Sequence, residues 1–129
     1  MGTLNKRHKR CWYYIINQLK TKFSPGVPVY VKTVPLDDSS LAMCKGVIKL
    51  GRLIEIVIKI NNKTSWLVRR DSLFHEWAHA MEWEAHWYDD GPKKEHGETW
   101  GVWYAKIYKH IMDDSWEDMK EKGLVISVE

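Results

Sequence analysis

His75, Glu76 and His79 stand in the order His-Glu-x-x-His within the segment 71–98, DSLFHEWAHAMEWEAHWYDDGPKKEHGE, which also holds His96 followed by Gly97. Residues four apart on an α-helix lie one above the other on the same face, so His75 and His79 can offer two imidazole nitrogens to one cation. That supplies two legs of a tetrahedral zinc site. Glu76 is one residue, about 100° of helix rotation, from His75, which sets its carboxylate beside the ion and within reach of a water there. Its expected role is general base, not ligand. A catalytic zinc usually has three protein ligands and one open position for water, so a third ligand is expected further along the chain.

Three residues compete for that place. His86 is in angular register with the pair but lies about 10 Å further along the helix axis than His79, too far to share an ion on an unbroken helix. Glu98 would make a two-histidine, one-carboxylate site. His96 is the leading candidate, because sixteen residues separate it from His79, Gly97 permits a tight approach, and the polar loop 88–97 is long enough to turn back. Asp71, four residues before His75, can orient an imaginable ligand imidazole or be an ordinary exposed aspartate.

The rest of the chain must position these groups. From Leu4 to Lys22, apolar residues recur at helical spacing among lysines and arginines, which predicts an amphipathic first helix packing across a sheet. Ser24-Pro25-Gly26 stops it. Strands are expected over 27–34, 41–50 and 53–60, the first at a sheet edge because Pro28 cannot donate to a ladder. The last two are joined by a hairpin-type link at Gly51-Arg52, and Ile54, Ile56, Ile58 and Ile60 give the third strand one apolar face. The expected class is α+β with a three-stranded, mostly antiparallel sheet.

Thr64 or Asn62 is expected to cap the metal helix, which runs to about Trp87. One stripe carries Leu67, Phe74, Ala78, Met81 and Ala85, and the opposite stripe carries Asp71, His75, His79, Glu82 and His86. Burying the first stripe against the sheet would aim the second at a cleft. Helical spacing resumes over 98–112 in a second packing helix, and a short helix over 113–122 ends at Gly123. The tail after it reads as an extra strand or as frayed.

Composition bounds the remainder. The 129 residues are expected to form one domain, 1–129, and the formal charge of +3 is too small to mark a dedicated nucleic-acid binder. Lys6, Arg7, Lys9 and Arg10 can touch phosphate, so weak DNA association is an expectation of second rank behind a solvated basic face. The eight tryptophans invite a base-stacking role, but packing between the two later helices accounts for most of them. Cys11 and Cys44 form neither a CxxC pair nor a disulfide framework, the N-terminus lacks a signal-peptide core, and no window approaches a membrane span. A cytoplasmic location follows as the expectation, with no membrane partner.

The order of one helix, three strands, a His-Glu-x-x-His helix, and a loop to His-Gly before an aromatic-rich helix resembles the SprT-like zinc metallopeptidases, including the Spartan type and small stand-alone phage-borne versions. Leu73-Phe74-His75-Glu76-Trp77-Ala78-His79-Ala80 and Glu95-His96-Gly97-Glu98-Thr99-Trp100 carry the likeness. It implies a zincin-like fold, Zn2+ held by His75, His79 and His96, and Glu76 as catalytic base. The implied function is zinc-dependent hydrolysis of a protein or peptide substrate. Glu98 and Thr99 stand where the family often has proline and an aromatic. An oxyanion donor is needed as well, and Tyr88, Tyr104 and Tyr108 are the candidates. The alternatives from other classes are a DNA-associated binding module and a non-catalytic protein stabilised by zinc.

Overall fold

A computed structural model gives the fold and describes residues 4–85 and 98–124. It is α+β, with four α-helices and a three-stranded mixed sheet. The first helix, α1, spans Lys6–Lys22 and starts at Asn5, whose side chain accepts the His8 N–H at 2.7 Å as an N-cap. Its buried positions Cys11, Trp12, Ile15 and Leu19 follow helical spacing, while Lys6, Arg7, Lys9 and Arg10 are exposed. The helix stops at Phe23. That residue's carbonyl is beyond the helix ladder and accepts the Trp77 indole N–H at 2.8 Å, which ties the end of α1 to the metal-motif helix.

Strand β1 spans Val29–Val34, β2 Ala42–Lys49 and β3 Arg52–Asn61. The order across the sheet is β1-β3-β2, and β1 sits at an edge as Pro28 requires. The β2–β3 pairing is a hairpin. Leu50 and Gly51 take φ of 52° and 74°, and two consecutive positive values are what a two-residue type I′ turn demands. An irregularity in register falls between Val47 and Ile48.

The expectation of a mostly antiparallel sheet is corrected here. β1 pairs with β3 in parallel, from Val29 opposite Ile56 to Val34 opposite Asn61, so one of the two pairings is parallel. Strand β3 takes the centre because Ile56, Ile58 and Ile60 are fully buried on its helix-facing side, and a central strand hides such residues best. The chain therefore crosses from β1 to the far edge before the hairpin. Asn61, itself buried, secures that crossing: its amide donates to the carbonyls of Asp37 at 3.2 Å and Ser40 at 2.8 Å.

Helix α2 spans Trp66–Ala85. Ser65 caps it, not Thr64 or Asn62, because the Ser65 Oγ accepts from Val68 N–H at 3.4 Å and its carbonyl accepts from Arg69 N–H at 2.9 Å. The Thr64 hydroxyl instead donates to the Asn61 carbonyl at 2.8 Å. Leu67, expected in the buried stripe, is 51% exposed, since in the first turn of α2 it is Trp66 and Arg69 that turn inward. From Ser72 to Glu82 the helix is enclosed on nearly every side, with Leu73, Phe74, Trp77, Ala78 and Ala80 fully buried.

The single helix expected over 98–112 is divided. Helix α3 ends at Lys109, and His110–Asp114 forms a π-helical turn closed by Ser115 N–H donating to the His110 carbonyl at 2.9 Å. Ile107 and Ile111 remain fully buried across it, and His110 Nε2 lies 2.9 Å from Gln18 Oε1 of α1. Helix α4, Trp116–Glu121, closes with Gly123 at φ 69°, where Gly123 N–H donates to Lys120 O and Leu124 N–H to Met119 O in a Schellman motif. The tail beyond Leu124 lies outside the described residues. One apolar cluster joins α1, β1, β3, α2, α3 and the segments after it.

Candidate functional site

The helical offset of four brings His75 and His79 together as expected, with ring centroids 5.0 Å apart. A zinc–nitrogen bond of about 2.0–2.1 Å would put each imidazole centroid about 3.2 Å from the ion, and a tetrahedral angle would then separate two centroids by about 5 Å. The observed separation is compatible with that spacing. Glu76 is buried beside it, its Oε2 4.0 Å from His75 Nε2.

Helix α3 closes the other side. Trp100 lays its indole 5.0 Å from the His75 ring and 5.8 Å from the His79 ring, and its Nε1–H donates to the His75 carbonyl at 3.2 Å. One turn on, Tyr104 stacks on Trp100 at 5.1 Å with ring planes only 18° apart. A cleft of about 630 Å³ opens in front, lined by Ser39 to Ala42, Val68, Asp71, Ser72, His75, Glu76 and Tyr104. Its volume is that of a small-ligand site or a short run of peptide.

Edge strand β2 borders this cleft. Leu41 O accepts Asn61 N–H at 2.9 Å, so Leu41 faces β3, and the alternation of an antiparallel ladder turns the backbone polar groups of Ala42 and Cys44 outward. On the side chain side, Cys44 lies next to Glu76. Burial first, and the negative charge of Glu76 second, hold its thiol far above the ordinary range. The Tyr104 hydroxyl is likewise pushed up, by burial first and then by Asp71 and Tyr108, with Arg70 opposing.

Two residues have parts that the sequence reading did not assign. Glu82 is 3% exposed and sets Oε1 3.9 Å from Nδ1 of His79, which is 8% exposed. That separation is too long for a hydrogen bond, and what the contact gives the His79 ring is a nearby negative charge. The signal for Glu82 in the sequence was the three-residue offset from His79. Asp71 does not act on an imidazole in this way; it pairs with Arg70 at 3.1 Å and lines the cleft. Trp100, expected only as packing, is the wall of the site. Trp77 belongs to the core beneath α1, and Trp83 fits against Gly46 of β2.

Among the described residues no group of three His, Cys, Asp or Glu side chains converges, and Glu98 is exposed at the start of α3. His96, His86 and Tyr88 lie outside the described residues. Tyr108 meets Phe74 edge-on at 6.1 Å and does not line the cleft. No family model, curated protein or solved structure matches the chain. Among the described residues, no helix is long and apolar enough to cross a membrane.

Proposed function

We propose that the chain is a zinc-dependent, SprT-like peptidase of zincin-like fold, acting on protein or peptide in the cytoplasm. The single observation that carries the reading is the pairing of His75 and His79 at a separation compatible with one ion, with Glu76 buried beside His75 and these two lining one cleft. His96, from the loop before α3, is the third ligand of this reading. The free thiols of Cys11 and Cys44 suit a reducing compartment.

A zinc ion bound there supplies a Lewis acid for the substrate carbonyl and lowers the pKa of the attacking water towards about 7. The chain's own groups do the remaining work. Ala42 and Cys44, through outward backbone groups of β2, hold the substrate as an added strand. Glu76 takes the proton from the attacking water as the water oxygen bonds to the carbonyl carbon and the C=O π pair moves onto oxygen. When the C–N bond breaks, Glu76 returns that proton to the leaving amine. Glu82 keeps a negative charge beside the His79 ring, which favours a cation there.

The deciding experiment compares the parent with Glu76→Gln on a broad peptide pool, with metal analysis of both proteins. Turnover is expected to fall about 10²–10⁴-fold while zinc content is unchanged, because the carboxylate acts on a proton and not on the ion. Equal cleavage by the two proteins sinks the mechanism.

A further inference from the structure

We infer that Tyr104 is a catalytic residue that donates its hydroxyl hydrogen to the substrate carbonyl oxygen as negative charge builds there. The inference rests on the peptidase reading above and adds the group that reading lacks. Glu76 handles the proton, and among the described residues nothing yet assigned donates to the oxyanion.

The geometry favours Tyr104 over Tyr108. Both are on α3, four residues apart, yet only Tyr104 lines the cleft that holds His75 and Glu76. Its ring is held by a chain of contacts that ends on the metal pair: Tyr104 stacks on Trp100 at 5.1 Å, and Trp100 both packs on His75 at 5.0 Å and donates to the His75 carbonyl at 3.2 Å. A donor fixed in this way before substrate arrives costs little reorganisation, which is where oxyanion stabilisation draws its strength. The group is also chemically suited. A phenol keeps its proton at neutral pH and so stays a donor there.

The test uses the full chain loaded with zinc and one cleaved peptide, measuring kcat, KM, zinc content and Tm for the parent, Tyr104→Phe, Tyr108→Phe and Tyr88→Phe. Phenylalanine retains the ring and its stack on Trp100, so Tyr104→Phe removes the hydroxyl alone. Expected for it are a kcat lower by about 10²–10³-fold, a KM within about threefold, and unchanged zinc content and Tm. Tyr108→Phe should match the parent. The inference is overturned if Tyr104→Phe turns over within threefold of the parent, if its loss tracks zinc or Tm, or if the loss appears in Tyr88→Phe instead. A parent that cuts no peptide with zinc present overturns the peptidase reading itself, and this assignment with it.

Discussion

Gly46 gives the most direct test of how the sheet and the metal-motif helix are fitted together. A Cβ placed on it would stand 2.8 Å from Leu53 Cδ1 and 2.8 Å from both Cε2 and Cζ2 of Trp83. Ordinary contacts begin near 3.4 Å, so these atoms must withdraw by about half an ångström or more, and an indole cannot fold away as a flexible chain end does. Overpacking of this kind costs about 1–3 kcal/mol, against which Gly→Ala recovers about 0.4–1 kcal/mol from the stiffer unfolded chain. The net expectation for Gly46→Ala is a loss of about 1.5 kcal/mol. With an unfolding entropy near 0.27 kcal/mol/K for 129 residues, Tm should fall by about 5 °C.

The control is Gly101→Ala in α3, where no described atom comes within 4 Å of the added methyl. There the same substitution should raise stability by about 0.8–1 kcal/mol through helix propensity. Thermal and urea unfolding of both variants, with Trp83→Leu added to Gly46→Ala to relieve the clash, measure the effect and its coupling. A Gly46→Ala protein as stable as the parent, or one whose loss is the same with Leu as with Trp at position 83, refutes the packing argument.

Further outcomes follow from the polar contacts. Glu82→Gln keeps the volume at a buried site but removes the charge beside His79, so zinc affinity should weaken about 10–100-fold in competition with a chromophoric chelator; unchanged affinity removes Glu82 from the centre. The Tyr14 hydroxyl donates to Asp118 at 2.6 Å, and burial first, then that hydrogen bond, push its pKa up to about 12 from 10. Because the folded value is the higher one, this stabilisation is complete below pH 10 and is lost as pH rises through about 12. Alkaline unfolding followed by circular dichroism should therefore show a decline over that window in the parent and a shallower one in Tyr14→Phe.

Local signals carried much of this fold. The register of His75 and His79 follows from helix geometry alone, and Ile56, Ile58 and Ile60 of β3 declared their buried face by alternation, although Ile54 on that face is 37% exposed. Gly123 marks a helix end through backbone chemistry confined to a few residues. What escaped is non-local. The parallel pairing of β1 with β3 depends on which neighbour best covers Ile56, Ile58 and Ile60, and on the buried amide of Asn61 gripping a loop over twenty residues away in sequence. The π turn at His110–Asp114 reconciles the burial of Ile107 and Ile111 with a contact to Gln18, and no spacing rule encodes that compromise. The part played by Trp100 needed α3 to be seen lying along α2. Of the three proposed ligands, two are described and lie side by side with ring centroids 5.0 Å apart; His96 lies outside the described residues.

Strand β2 leaves a row of amides and carbonyls turned away from its only described neighbour, and such a margin does not discriminate between a substrate and another copy of the same protein. Lys45 and Lys49, both exposed along that strand, give the margin a positive fringe. Like charges meeting there make side-by-side stacking of molecules unfavourable, whereas the proposed peptide substrate need carry no such charge. Loss of those two amines would thus show first as turbidity at high concentration and not as a slower reaction.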